Sequence, residues 1–212
     1  MFADTNKILI LAPHPDDAEF GLGGTISKLL KANKEIHLVV FSNCEKSTPK
    51  GFEKGTIVKE LFEACEFLGI SNDQIYLYDF EVRDFPKHRQ EILEELILLR
   101  NKLQPDLVFL PCSTDIHQDH KTIHEEGLRA FKFSCLLGYE LPWNNFGFTS
   151  FAFVKLDEEH INNKIGALKK YRTQAMRSYN NSEFILSLAK LRGGQIQSKY
   201  AESFELLRYF DF

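Results

Sequence analysis

The sequence predicts an α/β fold in which a Rossmann-like, mostly parallel sheet carries helices on both faces. Two observations support this fold class: short apolar runs without strict alternation, and helical periodicity in the intervals between those runs. Such apolar runs are typical of strands buried on both faces, and strands that alternate with helices indicate βαβ units. The length suits one domain, so we expect residues 1–212 to form a single domain.

Four strands are expected in the first two thirds of the chain, and apolar residues at helical spacing predict three helices between them. The strands are expected at 7–12, 36–43, 75–80 and 106–111, and the helices at 24–33, 56–70 and 89–103. The last third predicts a strand, two helices and a closing strand, at 148–156, 157–174, 182–192 and 200–210.

Charge and composition argue against two classes of partner. The formal charge of −4 and the isoelectric point near 6.0 are unsuited to binding a nucleic-acid backbone. The apolar run near the N-terminus is too short and too polar for a signal sequence or a membrane span, so we expect no stable membrane insertion. Four cysteines without CxxC spacing predict free thiols in a reducing compartment, and the cytoplasm is the expected location.

Two clusters of polar residues follow predicted strands. PHPDDAE, at 13–19, comes directly after the first strand, and CSTDIHQDH, at 112–120, lies at the end of the fourth. Ligands bind at the carboxyl ends of parallel strands where the strand order reverses, and in a doubly wound sheet these two strands are neighbours there. The clusters are therefore expected to face each other across one crevice. Together they supply His14, Asp16, Asp17, Glu19, Asp115, His117, Asp119 and His120.

Imidazole and carboxylate groups form a ligand set that suits zinc, whose catalytic sites keep an open position for water. Zinc lowers the pKa of that water to about 7, a nearby carboxylate takes its proton, and a second imidazole stabilises an oxyanion or protonates a leaving amine. Two plainer interpretations stay open: a helix N-cap pair of aspartates after Pro15, and a charged helix start at 117–124. From the residues alone, the chemistry is that of a metal-assisted hydrolase.

Two further patterns lack residues that their motifs require. The glycine-rich stretch GLGGTI, at 21–26, suggests a dinucleotide loop, but Ile26 stands where that fingerprint needs its third glycine. His120 and His124 have the spacing of a zincin helix, but Lys121 replaces the catalytic glutamate. We therefore expect His124 to be an exposed helix residue.

Both polar clusters, in this order, are similar to the two signatures of a known enzyme family. PHPDDAE is similar to its HPDDxE or AHPDDE signature, and HQDH, at 117–120, is similar to its HPDH or HxDH signature. The chain thereby resembles the PIG-L/LmbE-type zinc-dependent N-acetylglucosaminyl deacetylases. The resemblance covers most of the chain, because it continues through LGYELPW, ALKKYRTQ and RGGQIQSKYAESFE. It implies hydrolysis of an acetamide on a sugar, with release of acetate and a free amine.

The resemblance also implies a set of metal ligands, with zinc as the ion and Fe²⁺ as an alternative. The implied ligands are His14, Asp17 and His120. Glu19 follows an inserted alanine and is placed outside this set, as a supporting or helix-start residue. Gln118 replaces the usual proline, which changes loop stiffness and is not expected to alter ligation.

Three more residues receive catalytic roles from the resemblance. Asp16 would be the general base, and His117 would stabilise the tetrahedral oxyanion. Asp119 would orient His117.

Three residues are candidates for contact with the substrate. Tyr139 and Trp143 belong to the aromatic segment YELPWNNFGF, which suits stacking on a sugar ring and equally suits covering a sheet edge or a subunit contact. Arg83 follows the third strand and suits an acidic aglycone, although a surface salt bridge is the simpler interpretation. Cys44 and Cys112 also fall at strand ends, where we expect structural free thiols.

Three functions are compatible with these residues. The first is zinc-dependent N-deacetylation of a small-molecule conjugate of an N-acetylglucosamine-type sugar. The second is a metal amidase for a non-sugar acylated amine, and the third is a non-catalytic sugar- or nucleotide-binding module. A binding module needs no base beside a metal site, so the complete residue set favours an enzyme. The sequence leaves homo-oligomerisation open.

Overall fold

Seven strands form one sheet within residues 5–210, which are the residues that the computed structural model describes. The ends of the expected domain, 1–4 and 211–212, lie outside the described residues. The strands are β1 Lys7–Ala12, β2 Glu35–Val40, β3 Ile75–Leu77, β4 Leu107–Pro111, β5 Cys135–Tyr139, β6 Ala152–Leu156 and β7 Tyr200–Arg208. The α-helices are α1 Asp17–Lys31, α2 Thr56–Leu68, α3 Arg89–Leu103, α4 Gln118–Ala130, α5 Glu158–Leu168 and α6 Ser182–Gly194.

The strand order across the sheet is β3-β2-β1-β4-β5-β7-β6. The first five strands pair in parallel, whereas β7 runs antiparallel to both of its neighbours, β5 and β6. β1 lies beside β4, and the direction in which strands are added to the sheet reverses between them. The predicted α/β class, the mostly parallel sheet and the pairing of the first strand with the fourth are confirmed.

Alternate residues of the central strands pack against helices on opposite faces of the sheet. Ile8 and Ile10 of β1 belong to a core cluster shared with α1, α2, α5 and α6, whereas Leu9 and Leu11 belong to a second cluster shared with α3 and α4. All four side chains are fully buried. A strand covered on both faces needs apolar residues at every position, which is why β1 reads as a continuous apolar run.

α1 begins at Asp17, well before the predicted start at residue 24, because the glycines belong to the helix. A Cβ atom at Gly21 would lie 2.4 Å from Cδ2 of Tyr139, and one at Gly24 would lie 2.6 Å from Cδ1 of Leu156. The glycines therefore let the helix backbone lie directly against β5 and β6.

α1 is kinked at Leu22, whose φ of −149° and ψ of 24° are not helical. A buried ion pair satisfies the backbone groups at the kink: Lys164 Nζ donates to the carbonyl of Phe20 at 2.6 Å and to Glu202 Oε1 at 2.7 Å. Glu202 in turn accepts from the two backbone amides at 24–25, at 3.1 and 2.7 Å. The second half of α1 thus receives its N-terminal cap from β7.

Several element boundaries differ from the predictions. β5 and α4 were not predicted as elements, although the interpretation of a charged helix start applies to α4. The predicted helix at 157–174 ends at Leu168 and is followed by a 3₁₀ turn, Arg172–Gln174, and the predicted strand at 148–156 shortens to β6. Within 5–210, none of the helices has the length and apolar character that a membrane crossing requires.

Candidate active site

The two polar clusters meet at one edge of the sheet. His14, Asp16 and Asp17 follow β1 and lead into α1, whereas His117 and His120 lie at the start of α4, after β4. Because β1 and β4 are parallel neighbours, the loops that follow them leave the sheet at the same edge. All five residues line a single cleft of about 600 Å³. The structure therefore brings both clusters to one crevice.

Three donor atoms in this cleft form a nearly equilateral triangle. His14 Nδ1 lies 3.1 Å from His120 Nε2, and Asp17 Oδ2 lies 3.3 Å from each of these nitrogens. Ligands bound to one zinc ion at about 2.0–2.1 Å in tetrahedral geometry lie about 3.3 Å apart. The ring nitrogens of His14, His117 and His120 also lie within 4.8 Å of one another. The side chains of His14, Asp17 and His120, with His117 beside them, therefore fit a small divalent metal ion.

Each imidazole of the triangle is held by a carboxylate on its other nitrogen. His14 Nε2 lies 2.9 Å from Asp119 Oδ2, and His120 Nδ1 lies 2.7 Å from Asp115 Oδ2. Contacts of this kind fix the tautomer and the ring orientation of metal-binding histidines. The sequence predicts no role for Asp115. Its position in the second polar cluster is the one feature of the sequence that could have indicated a role.

Asp119 contacts His117 through its backbone N–H, whereas its carboxylate contacts His14. The Asp119 side chain is buried, and its Oδ2 also accepts a hydrogen bond from the backbone N–H of Arg83 at 2.7 Å. Only the backbone N–H of Asp119 contacts His117, by donating to Nδ1 at 3.2 Å. The physical reason is helix capping: His117 is the N-cap of α4, so its ring faces a free amide of the first turn.

Burial and charge act in opposite directions on the triangle. Burial lowers the pKa of His120, but the charge of Asp17 and hydrogen bonds to Asp115 and Asp17 outweigh burial and raise that pKa to about 10. The pKa of His14 is also raised, because its carboxylate partners outweigh burial. Burial alone would raise the pKa of Asp17, yet the two histidines hold it well below its usual range. Without metal, protons therefore occupy the two histidine nitrogens of this triangle, whereas the carboxylate of Asp17 stays ionised.

Asp16 has a left-handed backbone conformation, with φ 84° and ψ −22°. A residue with a side chain pays about 1–3 kcal/mol for this conformation and keeps it only where its surroundings hold it. Asp16 lines the cleft, and within residues 5–210 its carboxylate makes no hydrogen bond. Burial raises its pKa well above the usual value, and the charges of Asp17 and Glu19 raise it further. Such a carboxyl group is suited to proton transfer near neutral pH.

His117 has the opposite electrostatic character from His120. Burial lowers the pKa of His117 to about 4, with further lowering from the nearby His120 and His14. Its ring is therefore neutral near pH 7. Because Nδ1 accepts from the amide of Asp119, the ring proton resides on Nε2. His117 thus brings a neutral N–H donor to the cleft.

Two of the three residues expected to contact the substrate line the cleft. Trp143 stacks on Tyr179, with ring centroids 3.7 Å apart and planes 8° apart. Arg83 also lines the cleft, and within the described chain it has no carboxylate partner at ion-pair distance. The segment after α5 adds Arg177 and Tyr179, which the sequence does not single out because nothing local links that segment to the two clusters.

Tyr139 does not line the cleft, so the expectation that it contacts substrate is wrong. Its side chain is 0% exposed, and its hydroxyl donates to the carbonyl of Leu11 at 2.9 Å inside the core. His124 is buried rather than exposed, because its Nδ1 donates to the carbonyl of Pro111 at 2.7 Å. Cys44 lines the cleft and Cys112 does not, and both are free thiols.

Comparison with known proteins finds similarity to proteins named as deacetylases. Diacetylchitobiose deacetylase of Thermococcus kodakarensis is 29% identical over 143 residues, which are 64% of this chain and 52% of that protein. The chain thus spans about half the length of this relative. The uncharacterized deacetylase YaiS of Escherichia coli is 26% identical over 181 residues, which are 82% of this chain and 96% of that protein.

Solved structures share the fold. N,N'-diacetylchitobiose deacetylase from Pyrococcus horikoshii, determined with its inhibitor MPG, superimposes with a TM-score of 0.81 at 24% identity. That match covers 97% of this chain and 85% of the Pyrococcus chain, so the similarity of fold includes the last third of the sequence.

A sequence model of one family matches the part of the chain that holds both polar clusters. The family is PIG-L, described as GlcNAc-PI de-N-acetylase, and the match spans residues 9–131, more than half of the chain. The resemblance predicted from the two signatures is confirmed. The chain therefore belongs to the PIG-L family.

Proposed function

We propose that the protein is a metal-dependent N-deacetylase that hydrolyses the acetamide of an N-acetylglucosamine-type sugar conjugate. The observation that carries this proposal is the triangle of His14, Asp17 and His120 with the free carboxylate of Asp16 beside it. A metal-binding triangle alone suits a structural ion, and a free carboxylate alone suits a surface loop. The two together in a cleft are what hydrolysis requires.

His14, Asp17 and His120 would hold the ion, for which zinc is our first choice and Fe²⁺ the alternative. Two imidazoles and one carboxylate are a common catalytic zinc set, and the 3.1–3.3 Å spacing of the donor atoms suits it. When bound, such an ion polarises the amide carbonyl and makes water a stronger nucleophile at neutral pH. Asp119 and Asp115 hold the two imidazoles in the orientation that ligation needs.

Asp16 would act as the general base. It takes a proton from the attacking water as the water oxygen bonds to the carbonyl carbon, and the same proton passes to the departing nitrogen when the C–N bond breaks. One water is consumed, and acetate and a free amine are released. The raised pKa of Asp16 supports this role, because its proton affinity is closer to that of the groups with which it exchanges the proton.

His117 would stabilise the negative charge that develops on the carbonyl oxygen. A neutral imidazole with its proton on Nε2 donates one hydrogen bond and keeps its orientation because the amide of Asp119 holds Nδ1. Donors fixed before the reaction stabilise the transition state without reorganisation.

The walls of the cleft support a sugar conjugate as the substrate. Trp143, stacked on Tyr179, gives a flat aromatic face for a pyranose ring. Arg83 and Arg177 supply cationic groups for polar or acidic substituents on the rest of the molecule. The names of the two curated relatives described above, both deacetylases, support the same reaction.

We extend the proposal to the organisation and location of the chain. All seven strands within 5–210 belong to one sheet, which supports one catalytic domain over 1–212. The four free thiols support a reducing compartment, for which the cytoplasm is the simplest choice.

Metal analysis combined with an amine-release assay tests the proposed function. The purified protein is expected to contain about one divalent ion per chain. It should release amine from N-acetylglucosamine conjugates faster than from acetylated amines that carry no sugar. Faster hydrolysis of the acetylated amines without sugar would favour the metal amidase. A metal-loaded protein that releases no amine from any acylated compound would overturn the proposal.

A further inference from the structure

The backbone amide of Asp16 is held by a tyrosine from a distant part of the chain. Tyr171 lies just after α5, and its Oη accepts a hydrogen bond from the N–H of Asp16 at 3.1 Å. The same Oη lies 3.0 Å from Oε1 of Glu19, in the first turn of α1. Tyr171 and Glu19 are each 1% exposed. The two contacts therefore connect the first turn of α1, through the buried side chain of Tyr171, to the backbone of Asp16.

The direction of both hydrogen bonds follows from chemistry. A backbone N–H only donates, so Oη of Tyr171 must accept from Asp16, and its own proton is free to go to Glu19. Among neutral side chains of this size, only a phenol spans the distance and both accepts and donates in one atom. Phenylalanine at position 171 would leave the amide of Asp16 and one oxygen of Glu19 without these partners.

This bridge acts on a residue whose backbone is strained. Asp16 has φ 84°, and the amide held by Tyr171 is its own. On its other side, the carbonyl of Asp16 accepts from the N–H of Phe20 at 2.9 Å, which fixes it to α1. The backbone angles of a residue set the direction of its Cα–Cβ bond. Contacts that hold the left-handed conformation therefore aim the carboxylate of Asp16 into the cleft.

We infer that Tyr171 and Glu19 are positioning residues that hold the carboxylate of Asp16 at the reacting atoms. The inference rests on the proposed function, in which Asp16 is the general base. Neither residue contacts the substrate in this account, and both act through the backbone of Asp16. Glu19 of the first polar cluster and the tyrosine of the ALKKYRTQ segment thus act together on the orientation of Asp16.

Tyr139 provides a matched control, because it is an equally buried tyrosine whose hydroxyl contacts β1, the strand that precedes Asp16. It is 0% exposed, and its hydroxyl donates to the carbonyl of Leu11 rather than touching Asp16. Tyr139→Phe and Tyr171→Phe remove the same oxygen from similar surroundings. A general loss of stability should therefore affect both variants to a similar extent.

The first test compares these two variants in metal-loaded protein. Tyr171→Phe should lower kcat about 10- to 100-fold, because misplacing a catalytic group by about 1 Å can cost about 100-fold in rate. Its KM and metal content should match those of the wild type. Tyr139→Phe should keep the wild-type kcat. Equal kcat values for Tyr171→Phe and the wild type, or equal losses in both variants, would overturn the inference.

The second test asks whether Tyr171 acts through Asp16. Adding Tyr171→Phe to Asp16→Ala should cause no further loss of the residual rate, because the group being positioned is absent. Glu19→Gln keeps an acceptor for the tyrosine and should stay within about threefold of the wild-type kcat, whereas Glu19→Ala should resemble Tyr171→Phe. A full additional loss in the double variant would show an independent role and sink the inference.

Failure of the inference is distinguishable from failure of the proposed function. A wild-type protein that binds metal and releases no amine contradicts the function itself. A wild-type protein that deacetylates, together with a fully active Tyr171→Phe variant, contradicts only the positioning role.

Discussion

Asp17 makes three contacts that together determine the geometry of the site. Its Oδ2 accepts from the backbone N–H of His14 at 2.8 Å and lies 3.3 Å from a ring nitrogen of both His14 and His120. A carboxylate at this point lets two imidazoles approach within 3.1 Å, since its charge offsets the repulsion between them. No uncharged side chain does the same, so we expect asparagine here to weaken metal binding.

The division of labour between the adjacent aspartates gives the first prediction. Asp16→Ala should keep the metal and lose about 10²- to 10⁴-fold in kcat, because it removes proton transfer but no ligand. His120→Ala should lose the metal itself. Metal content by mass spectrometry and rates of amine release distinguish the two. Unchanged turnover in Asp16→Ala would remove it from the mechanism.

Asp115 gives a second prediction, on affinity rather than rate. Asp115→Ala should weaken metal binding about 10- to 100-fold, because His120 Nδ1 loses the carboxylate that fixes its ring. Titration against a chelating dye measures the affinity. Asp73→Ala, an exposed residue in the Asn72–Gln74 turn, is the control and should bind metal as the wild type does.

At this scale the sequence predicts which residues gather but not which atoms meet. Spacing and strand context suffice to place His14 and His120 in one cleft, because parallel neighbours end at the same edge. The partner of Asp119 depends on the rotation of α4 at its first turn, which spacing does not encode. The burial of Tyr139 depends on which face of β5 it occupies, and β5 itself was not predicted.

At the scale of elements, the last third of the chain supports α1 and its surroundings. The RGGQIQSKYAESFE segment supplies Arg192, which makes a bidentate pair with Glu140 at 2.8 and 2.7 Å, and Glu202, which caps the second half of α1. These contacts lie outside the cleft. This segment thus holds α1 and α6 against the sheet.

The ion pair at the kink of α1 gives a third prediction. Lys164→Met should lower the free energy of unfolding by about 3–5 kcal/mol, because it leaves the buried Glu202 without its cation. Lys199→Met breaks an exposed pair with Glu158 and should cost at most about 1 kcal/mol. Urea denaturation compares the two variants, and similar losses in both would contradict the role of burial.

The elements that the sequence predicts correctly are those whose signal is local. β1 and β4 are covered on both faces and need apolar residues throughout, so they are visible without the fold. α4 begins with the polar residues of the cleft, which interrupt its apolar periodicity. The first half of α1 contains three glycines, which in the sequence are typical of a loop. The structure shows that they let Tyr139 approach the helix backbone closely.

At the scale of the whole molecule, a bound ion would join loops from two βα units, and its binding must compete with protons. His120 has a pKa of about 10 in the metal-free fold, against about 6.5 when unfolded. Protonated His120 therefore stabilises the metal-free protein fully below pH 6.5, and this contribution is lost as the pH rises towards 10. Metal ligation requires the neutral ring, so metal affinity increases over the same range.

The fourth prediction follows from these opposing dependences. The increase in Tm that Zn²⁺ produces should be larger at pH 8 than at pH 6.5, and chelation should abolish it. Calorimetry with and without metal measures both quantities. In His120→Ala the increase should be absent at either pH. A metal-induced shift that shrinks as the pH rises would contradict the assignment of His120 as a ligand.

The cap that β7 gives to α1 bears on how far this protein can be shortened. A fragment ending at residue 131 would retain each proposed ligand and the proposed base, and on paper it looks sufficient. It would nevertheless lack Tyr171, Lys164 and Glu202, which hold the first helix and the loop before it. Attempts to build a minimal catalyst, or to split the chain for complementation, should therefore keep both ends together, since the C-terminal strand is part of what shapes the N-terminal turn.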